Sequence, residues 1–260
     1  MKNQTSSKKV SLALDDYGEE KDYWLDKLAG QLTKTNFPYD FYHQGPQESP
    51  RVKIENTAEL AINFSSRLCE RLLKISKKSD YTLHMILVAG MTVLLNKYTG
   101  AEDIMVGMPI YRQSKEGEFL NTVLVLRNQL QPGMNFKNLL LQVRQTVMEA
   151  NDNQNYPIET LLYQLNIPYQ GDEFPLFDVV VLVENIHEKK YIQHIHPNML
   201  FSFSRSDGTI TGLLEYNALL YNAAAAMQVI GRFCFLLEAL VYDPDTPLGR
   251  FEMLTEPERT

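Results

Sequence analysis

The chain has 260 residues, a net charge of −7 and 44% hydrophobic residues, with an acidic balance that leaves no basic face for nucleic acid; Lys8-Lys9, Lys77-Lys78 and Lys189-Lys190 are isolated pairs. No stretch is expected to span a membrane, since the longest apolar run, Met85 to Leu95, is short and broken by Gly90 and Thr92, and the N-terminus has no apolar signal region. Cys69 and Cys234 lie far apart with no metal-ligand spacing, as expected of reduced core residues in a cytoplasmic protein.

Residues 1–15 are polar and predict a tail. Glu19 to Leu28 predicts a short helix that buries Tyr23, Trp24 and Leu28 and is closed by Gly30. Asn36 to Arg51, rich in Pro, Gln, Tyr and Gly, predicts an extended linker. Leu60, Ile62 and Phe64 alternate with polar or small residues, the pattern of a half-buried strand. Ser65 or Ser66 then caps a helix carrying Leu68, Leu72 and Ile75, with Lys74, Lys77 and Lys78 near its C-terminal end.

Asp80 or Thr82 opens a second helix that reaches Tyr98; it is apolar nearly all round, so it is expected inside the protein, and Gly100 ends it. Strands are predicted at Ile104–Met108 and Asn121–Leu130, and a helix over Phe136–Ala150. Pro157 suits the start of another helix ending near Leu165. Leu176–Val183 is a continuous apolar run, hence a central strand buried on both faces. Met199–Ser204 and Ile210–Asn217 flank Asp207-Gly208, a hairpin turn signal, and Ala223–Val241 predicts a closing amphipathic helix. Strands and helices do not alternate strictly, which predicts a mixed sheet covered by helices rather than a doubly wound nucleotide fold.

Standard catalytic motifs are missing from the sequence. It contains no GxGxxG, no GxxxxGK[ST] and no GxSxG. His43, His84, His187, His194 and His196 include no adjacent pair. His84 falls in the apolar helix and reads as a satisfied core histidine. His194 and His196 share the i, i+2 spacing of a strand face, and Glu184, His187 and Glu188 lie nearby, but no further ligands follow at fixed spacing and the segment reads as a surface loop. No metal site is expected.

Several stretches, in order, resemble the condensation domains of nonribosomal peptide synthetases. Tyr23-Trp-Leu-Asp-Lys-Leu-Ala-Gly30 resembles the helix leading out of the first lobe of those domains. Tyr81-Thr-Leu through Tyr98-Thr-Gly100 resembles their buried helix, and Glu102-Asp-Ile-Met-Val-Gly-Met-Pro109 the strand after it, with Arg112 at the position of the family's arginine. Phe119-Leu-Asn-Thr-Val-Leu-Val-Leu-Arg127 is similar to "FVNTLxLR", and Asn153-Gln-Asn-Tyr-Pro-Ile-Glu159 to "HQDxPFE", with Asn153 and Asn155 in place of the family's His and Asp. Pro175-Leu-Phe177 resembles "PLF", Leu214-Glu-Tyr-Asn217 "LEYN", and Leu254-Thr-Glu-Pro-Glu-Arg259 the link to an adenylation domain.

The resemblance runs from about residue 16 to the C-terminus. It implies one lobe of the chloramphenicol acetyltransferase-like (CoA-dependent acyltransferase) fold, an α/β fold. Residues 16–52 would be the helix and linker from the end of the first lobe, 53–250 the C-terminal lobe, and 251–260 a link towards an adenylation domain. The family's catalytic "HHxxxDG" belongs to the first lobe and does not occur in this sequence; Asp207-Gly208 has no His pair before it. The family joins a carrier-bound donor thioester to a carrier-bound acceptor amine in a tunnel between two lobes. This chain would supply a tunnel wall and carrier-docking surface, be inactive alone, and need no cofactor of its own, because phosphopantetheine rides on the carriers. Its expected partners are the N-terminal lobe, donor and acceptor carrier domains and an adenylation domain. The site residues carried over are Gly107, Pro109, Arg112, Asn121, Thr122, Arg127, Gln154, Pro157, Glu159, Pro175 and Phe177, mostly in framework roles, and no catalytic residue is assigned. The alternatives are a stand-alone degenerate lobe that binds a partner, or part of another thioester-dependent acyltransferase.

Overall fold

The computed structural model describes residues 17–41, 56–113, 119–169 and 174–253. The expected tail over 1–15, most of the linker over 36–51 and the link over 254–259 lie outside the described residues. Helix α1 (Gly18–Lys27) is followed by strand β1 (Thr57–Asn63), helices α2 (Ser66–Ile75) and α3 (Asp80–Thr99), and strands β2 (Asp103–Pro109) and β3 (Val123–Gln129). Helices α4 (Phe136–Asp152) and α5 (Ile158–Gln164) come next, then strands β4 (Val179–Val183), β5 (Met199–Ser206) and β6 (Thr209–Asn217), and finally helix α6 (Ala223–Tyr242).

The strands form one mixed sheet in the order β1-β6-β5-β4-β2-β3. β4 lies parallel to both β5 and β2, and the remaining neighbours are antiparallel. All five residues of β4 are buried, as its unbroken apolar run requires of a central strand. The β5–β6 hairpin turns through Asp207 and Gly208, at φ 39° and 84°. Two successive positive φ values match the right-handed twist of the flanking strands, which explains the Asp-Gly pair.

Helix boundaries follow local chemistry. Ser65, Ser79, Asn135 and Asn222 each accept a backbone N–H with the side chain at the N-terminus of α2, α3, α4 and α6. Asp80 opens α3, one of the two starts its sequence offers, and Ser79 caps it. Gly100 closes α3 in the left-handed conformation, φ 71°, which a side chain would strain. α1 ends earlier than its pattern suggests: Leu28 is the capping residue, and the left-handed Gly30 lies outside the helix. Trp24 and Leu28 are buried, as the spacing predicts, while Tyr23 is half-buried.

α3 is buried continuously from Ile86 to Leu95 and packs against β2, β4, α4 and α6. The register places Phe201, Phe203, Leu214 and Ile62 on this helical side, and Phe203 and Phe201 meet Phe233 of α6. By length and composition α6 is apolar enough to cross a bilayer, at a mean hydropathy of 1.6. Gln228, Gly231, Arg232 and Glu238 interrupt it, so it contains no long unbroken apolar run. In the fold, Ala226, Val229, Phe233, Leu236, Leu237, Leu240 and Val241 are buried, and the helix packs on α3, α2 and β1.

The other side of the sheet is covered over only part of its width. Gly107 in β2 faces that side, and Phe177 lies flat against it: a Cβ at Gly107 would fall 2.3 Å from the Phe177 ring. Arg127 in β3 ties α1 to the sheet. It forks onto Asp103 at 2.6–3.0 Å and donates to the carbonyls of Lys27, Ala29 and Gln31. The segment after α1 then runs across the sheet ends. Thr35 bridges Phe177, Phe37 is buried, and the amides of Asp40 and Phe41 donate to Leu220. The start of the expected linker is thus extended but packed, because Phe37 and Tyr39 have core sites to fill.

Two substitutions test this arrangement. Gly107→Ala should cost about 1–3 kcal/mol in urea denaturation by overpacking against Phe177, and Phe177→Leu in the same chain should recover part of the loss. Arg127→Lys keeps the charge but loses the planar fork, and should cost about 2 kcal/mol by the same measurement.

Candidate functional site

Uncovered sheet surface is found over β6 and β1, beside β5, whose Leu200 and Ser202 are buried. Alternate residues point there: Leu200, Ser202 and Ser204 from β5, Thr211, Leu213 and Glu215 from β6, and Thr57, Glu59, Ala61 and Asn63 from β1. Thr57, Glu59, Ala61, Asn63 and Thr211 are exposed and Leu213 and Glu215 half-buried. This open surface is mainly polar.

Residues 184–198 form a strap beside it. The sequence reading of this segment as a surface loop is corrected here: His187, Tyr191, Ile192 and Ile195 are buried, because the strap lays an apolar side on the protein. A 3-10 turn over Lys189–Ile192 lets those residues face inward together. Several of the motif residues hold the strap. Arg112 donates through its amide to Ile186 O at 2.7 Å and through Nη2 to Glu184 O at 2.9 Å and His187 O at 3.4 Å, and its Nε lies 3.7 Å from Glu188. Thr122 Oγ1 donates to Tyr191 O at 2.7 Å. Glu159 lies 4.0 Å from His194. Burial lowers the His194 pKa and the Glu159 charge opposes that shift.

Between the strap and the open strands lies a groove of about 520 Å³, lined among others by Thr57, Glu59, Lys189, Ile192, His196, Leu200 and Glu215. Lys189 pairs with Glu215 at 2.5 Å. Glu59 stands directly opposite Glu215 across the β1–β6 ladder, so the lysine also relieves repulsion between two carboxylates. None of the groove's polar residues was singled out from sequence as a site residue. The signals were the His194–His196 spacing, weighed only as a metal pair, and the alternation in Leu214-Glu-Tyr-Asn217, which sends Leu214 to the core and Glu215 to the open side.

The remaining motif residues lie elsewhere. Asn121 precedes β3; its Nδ2 donates to Gln154 O at 3.1 Å and its Oδ1 accepts from Val123 N at 3.3 Å. The adjoining Asn153 carbonyl accepts from Trp24 Nε1 at 2.7 Å, and Asn155 Nδ2 donates to Glu20 at 3.0 Å. Pro157 caps α5. Gly107, Pro175 and Phe177 sit under the covered part of the sheet, where Phe177 also packs on Phe174 with ring centroids 4.5 Å apart. Pro109 ends β2. The motif residues thus form three groups, one around the strap, one around the β3 entry and α1, and one where Phe177 covers Gly107. The fold does not gather them into a single pocket. Among the described residues no cluster of three or more His, Cys, Asp or Glu could hold a metal ion.

His84 and His187 meet in the interior, between α3 and the strap, with ring centroids 4.6 Å apart. Burial lowers the His84 pKa to about 4 against the pull of its Val181 hydrogen bond. His187 is lowered well below the usual range by burial and by His84. Both are neutral at pH 7.

Comparison with known proteins gives these features a context. A family model for the condensation domain matches residues 6–260. Tyrocidine synthase 2 of Brevibacillus parabrevis is 29% identical, over 94% of this chain and 7% of the synthase. Tyrocidine synthase 3 of the same organism is 31% identical, over 94% of this chain and 4% of its own length. The chain therefore spans only a small part of these curated relatives. The X-domain solved in complex with OxyB from teicoplanin biosynthesis superposes with a TM-score of 0.76 at 20% identity, over 92% of this chain and 56% of that one. A double mutant of the starter condensation domain of rhizomide synthetase, in complex with C8-CoA and Leu-SNAC, superposes at 0.71 and 19% identity, over 92% and 55%. These structures share its α/β fold with a mixed sheet and covering helices, that of chloramphenicol acetyltransferase-like proteins. The matching family model, spanning nearly every residue, and the peptide synthases that align along its length show that this chain belongs to the condensation-domain family of nonribosomal peptide synthetases.

Proposed function

We propose that this chain acts as the C-terminal lobe of a condensation domain and supplies one wall of the tunnel in which two carrier-bound substrates meet. The observation that carries this reading is the open, groove-bearing half of the sheet. Sheet elsewhere is covered by helices, the strap and Phe177, while β6 and β1 present a mainly polar surface with a groove along it. Such a surface suits a wet channel between lobes better than a packed core. The division into a lobe over 53–250, a preceding helix and linker over 16–52 and a link over 251–260 towards an adenylation domain belongs to this reading, as do the cytoplasmic setting and the carrier-docking role.

In the reaction, the acceptor amine attacks the donor thioester carbonyl. The C–N bond forms, the C–S bond breaks, the amine loses a proton, and the departing phosphopantetheine thiolate takes one up. The arms arrive on donor and acceptor carriers as part of the substrates, so the lobe has no cofactor of its own. Its contribution is to orient the arms and exclude water, which lowers the barrier by positioning. The histidine motif would come from the N-terminal lobe. His84 and His187 are buried within this chain and held neutral, and neither faces the groove. The solved starter domain with C8-CoA and Leu-SNAC bound supports a thioester channel in this fold. Arg127, Asn121, Gln154, Pro157, Gly107, Pro109, Pro175 and Phe177 act as framework in this reading, Arg112 and Thr122 hold the strap, and Glu159 lies beside it.

A second reading, a lobe that binds a partner without chemistry, is favoured by one observation: a structural neighbour, the X-domain, was solved in complex with OxyB.

The chain alone, given loaded donor and acceptor carriers, should form no amide above the carrier-only background by mass spectrometry, since a general base contributes about 10²–10⁴-fold. Adding a separately expressed first lobe that carries HHxxxDG should restore product. Binding of that lobe without product would favour the second reading, and product from the chain alone would overturn the first.

Asn121→Ala removes two hydrogen bonds at a buried site and should lower stability by about 1–3 kcal/mol. In the two-lobe mixture turnover should fall in step with the folded fraction. Lost turnover with an unchanged melting curve would give Asn121 a direct role instead.

A further inference from the structure

The two buried histidines join helix α3 to the strap. His84 lies in the second turn of α3, and its Nε2 donates to Val181 O at 3.0 Å, which leaves Nδ1 bare and without a hydrogen-bond partner. His187 begins the buried part of the strap. Its Nδ1 sits 3.0 Å from the Val183 amide nitrogen and 3.1 Å from the Val183 carbonyl oxygen, and its Nε2 has no hydrogen-bond partner. The rings meet edge to face. Tyr111 closes the stack from the β2 side, 5.2 Å from the His187 ring, and Tyr81 packs edge-on against Tyr111 at 4.7 Å.

Among the described residues no carboxylate hydrogen-bonds to either imidazole. From α3 the stack is faced by His84 and Tyr81, with Asp80 already forked onto Arg205 at 2.6–2.9 Å. Tyr111 and Arg112 face it from the β2 exit, and Arg112 donates to the His187 carbonyl. On the strap, Glu184 and Glu188 flank a surface recess that His187 also lines. Glu188 there is paired with Lys190 at 2.5 Å and lies 3.7 Å from Arg112. Burial pushes the Tyr111 hydroxyl pKa up, so it stays neutral and brings no charge. A proton on either imidazole would therefore be buried next to a second imidazole, with no carboxylate bonded to it.

We propose that the His84–His187 pair is an acid-sensitive latch that holds the 184–198 strap, and with it one wall of the groove, in place only while both rings are neutral. The linkage has a definite sign. Both folded-state pKa values are depressed, so the latch's stability is complete above the ordinary imidazole pKa of about 6.5. It is lost as pH falls from there towards the depressed value, about 4 for His84. Opening exposes His187 and uncovers His84, both then free to titrate normally. The proposal concerns the conformation of this chain, and it holds whichever reading of the groove's function is right.

Hydrogen exchange on the whole chain between pH 7 and pH 5 tests it. The reporters are the amides of Ile186 and His187, which donate to Val183 O, and of Tyr191, which donates to Glu188 O. After correction for the intrinsic pH dependence of exchange, their protection should fall about 30-fold at pH 5 for each imidazole that titrates freely on opening. Amides in the middle of α3, from Leu87 to Val93, should change much less. His187→Asn keeps an acceptor near the Val183 amide, and His84→Gln keeps a donor near Val181 O; each should remove at least half of the pH response, on a logarithmic scale. Should one variant fail to fold, the other carries the test. Strap protection independent of pH, an equal loss in strap and α3, or an unchanged response in the folded variants would each overturn the latch.

Discussion

Helix α3 is apolar on every side, and a helix without a polar face must be enclosed. From Ile86 to Leu95 every residue is buried, with β2 and β4 beneath and α4 and α6 beside it. Each fully buried Leu, Ile or Val contributes about 1.5–3 kcal/mol relative to exposure, so no arrangement that leaves α3 at the surface competes. Enclosure puts the helices on one side of the sheet and explains why β4, directly against α3, is the all-apolar central strand. Close approach is part of the same constraint: a Cβ at Gly90 would lie 2.8 Å from Leu237 of α6.

With the helices used on one side, the opposite side of the sheet is covered by smaller pieces. Phe177 covers Gly107, the strap lies beside β2 and β4, and α1 is fastened at β3 by Arg127. A buried polar network holds the ends of the strands. Asp178 accepts from Asn198 at 2.7 Å and from Tyr39 at 3.1 Å and pairs with Lys34 at 2.7 Å, and Asn198 in turn accepts from Asn217 at 3.0 Å. A buried carboxylate would be costly alone; here its lone pairs are used, and the partners come from the N-terminal segment, β6 and the β4–β5 connection. The cover ends at β5, leaving β6 and β1 with a polar outer side and the groove.

The groove lies between a stiff element and a movable one. On the proposed reading, the uncovered part of this sheet is the face turned towards a second lobe. Glu59, Glu215 and Lys189 give it charged groups on strands and on the strap, two elements that differ in stiffness. The strands are fixed by the ladder, whereas the strap depends on side-chain ties from Arg112, Thr122, Lys189 and the histidine stack. A wall built this way keeps its chemistry on a rigid floor and leaves its movable part to a few contacts.

Much of the architecture was legible in the residues alone. The 3.6-residue and two-residue periods mark the helices and strands, and Ser65, Gly100, Pro157 and Asp207-Gly208 mark ends and turns through local backbone chemistry that needs no distant partner. The order of the family's short motifs was equally legible, because each is contiguous. What only the tertiary structure decided depends on pairs far apart in sequence. Arg127 reads as a strand-end cation until the fold brings Lys27, Ala29 and Gln31 to it. The 184–198 segment reads as a surface loop because its charged residues alternate with the apolar ones that turn inward. His84 reads as a satisfied core histidine, but its neighbour His187 comes from the strap, and the meeting leaves a nitrogen on each ring without a hydrogen-bond partner. The groove, likewise, required β1 to pair with β6 and set Glu59 opposite Glu215. Periodicity reports which side of an element is apolar; only packing determines what meets the polar side.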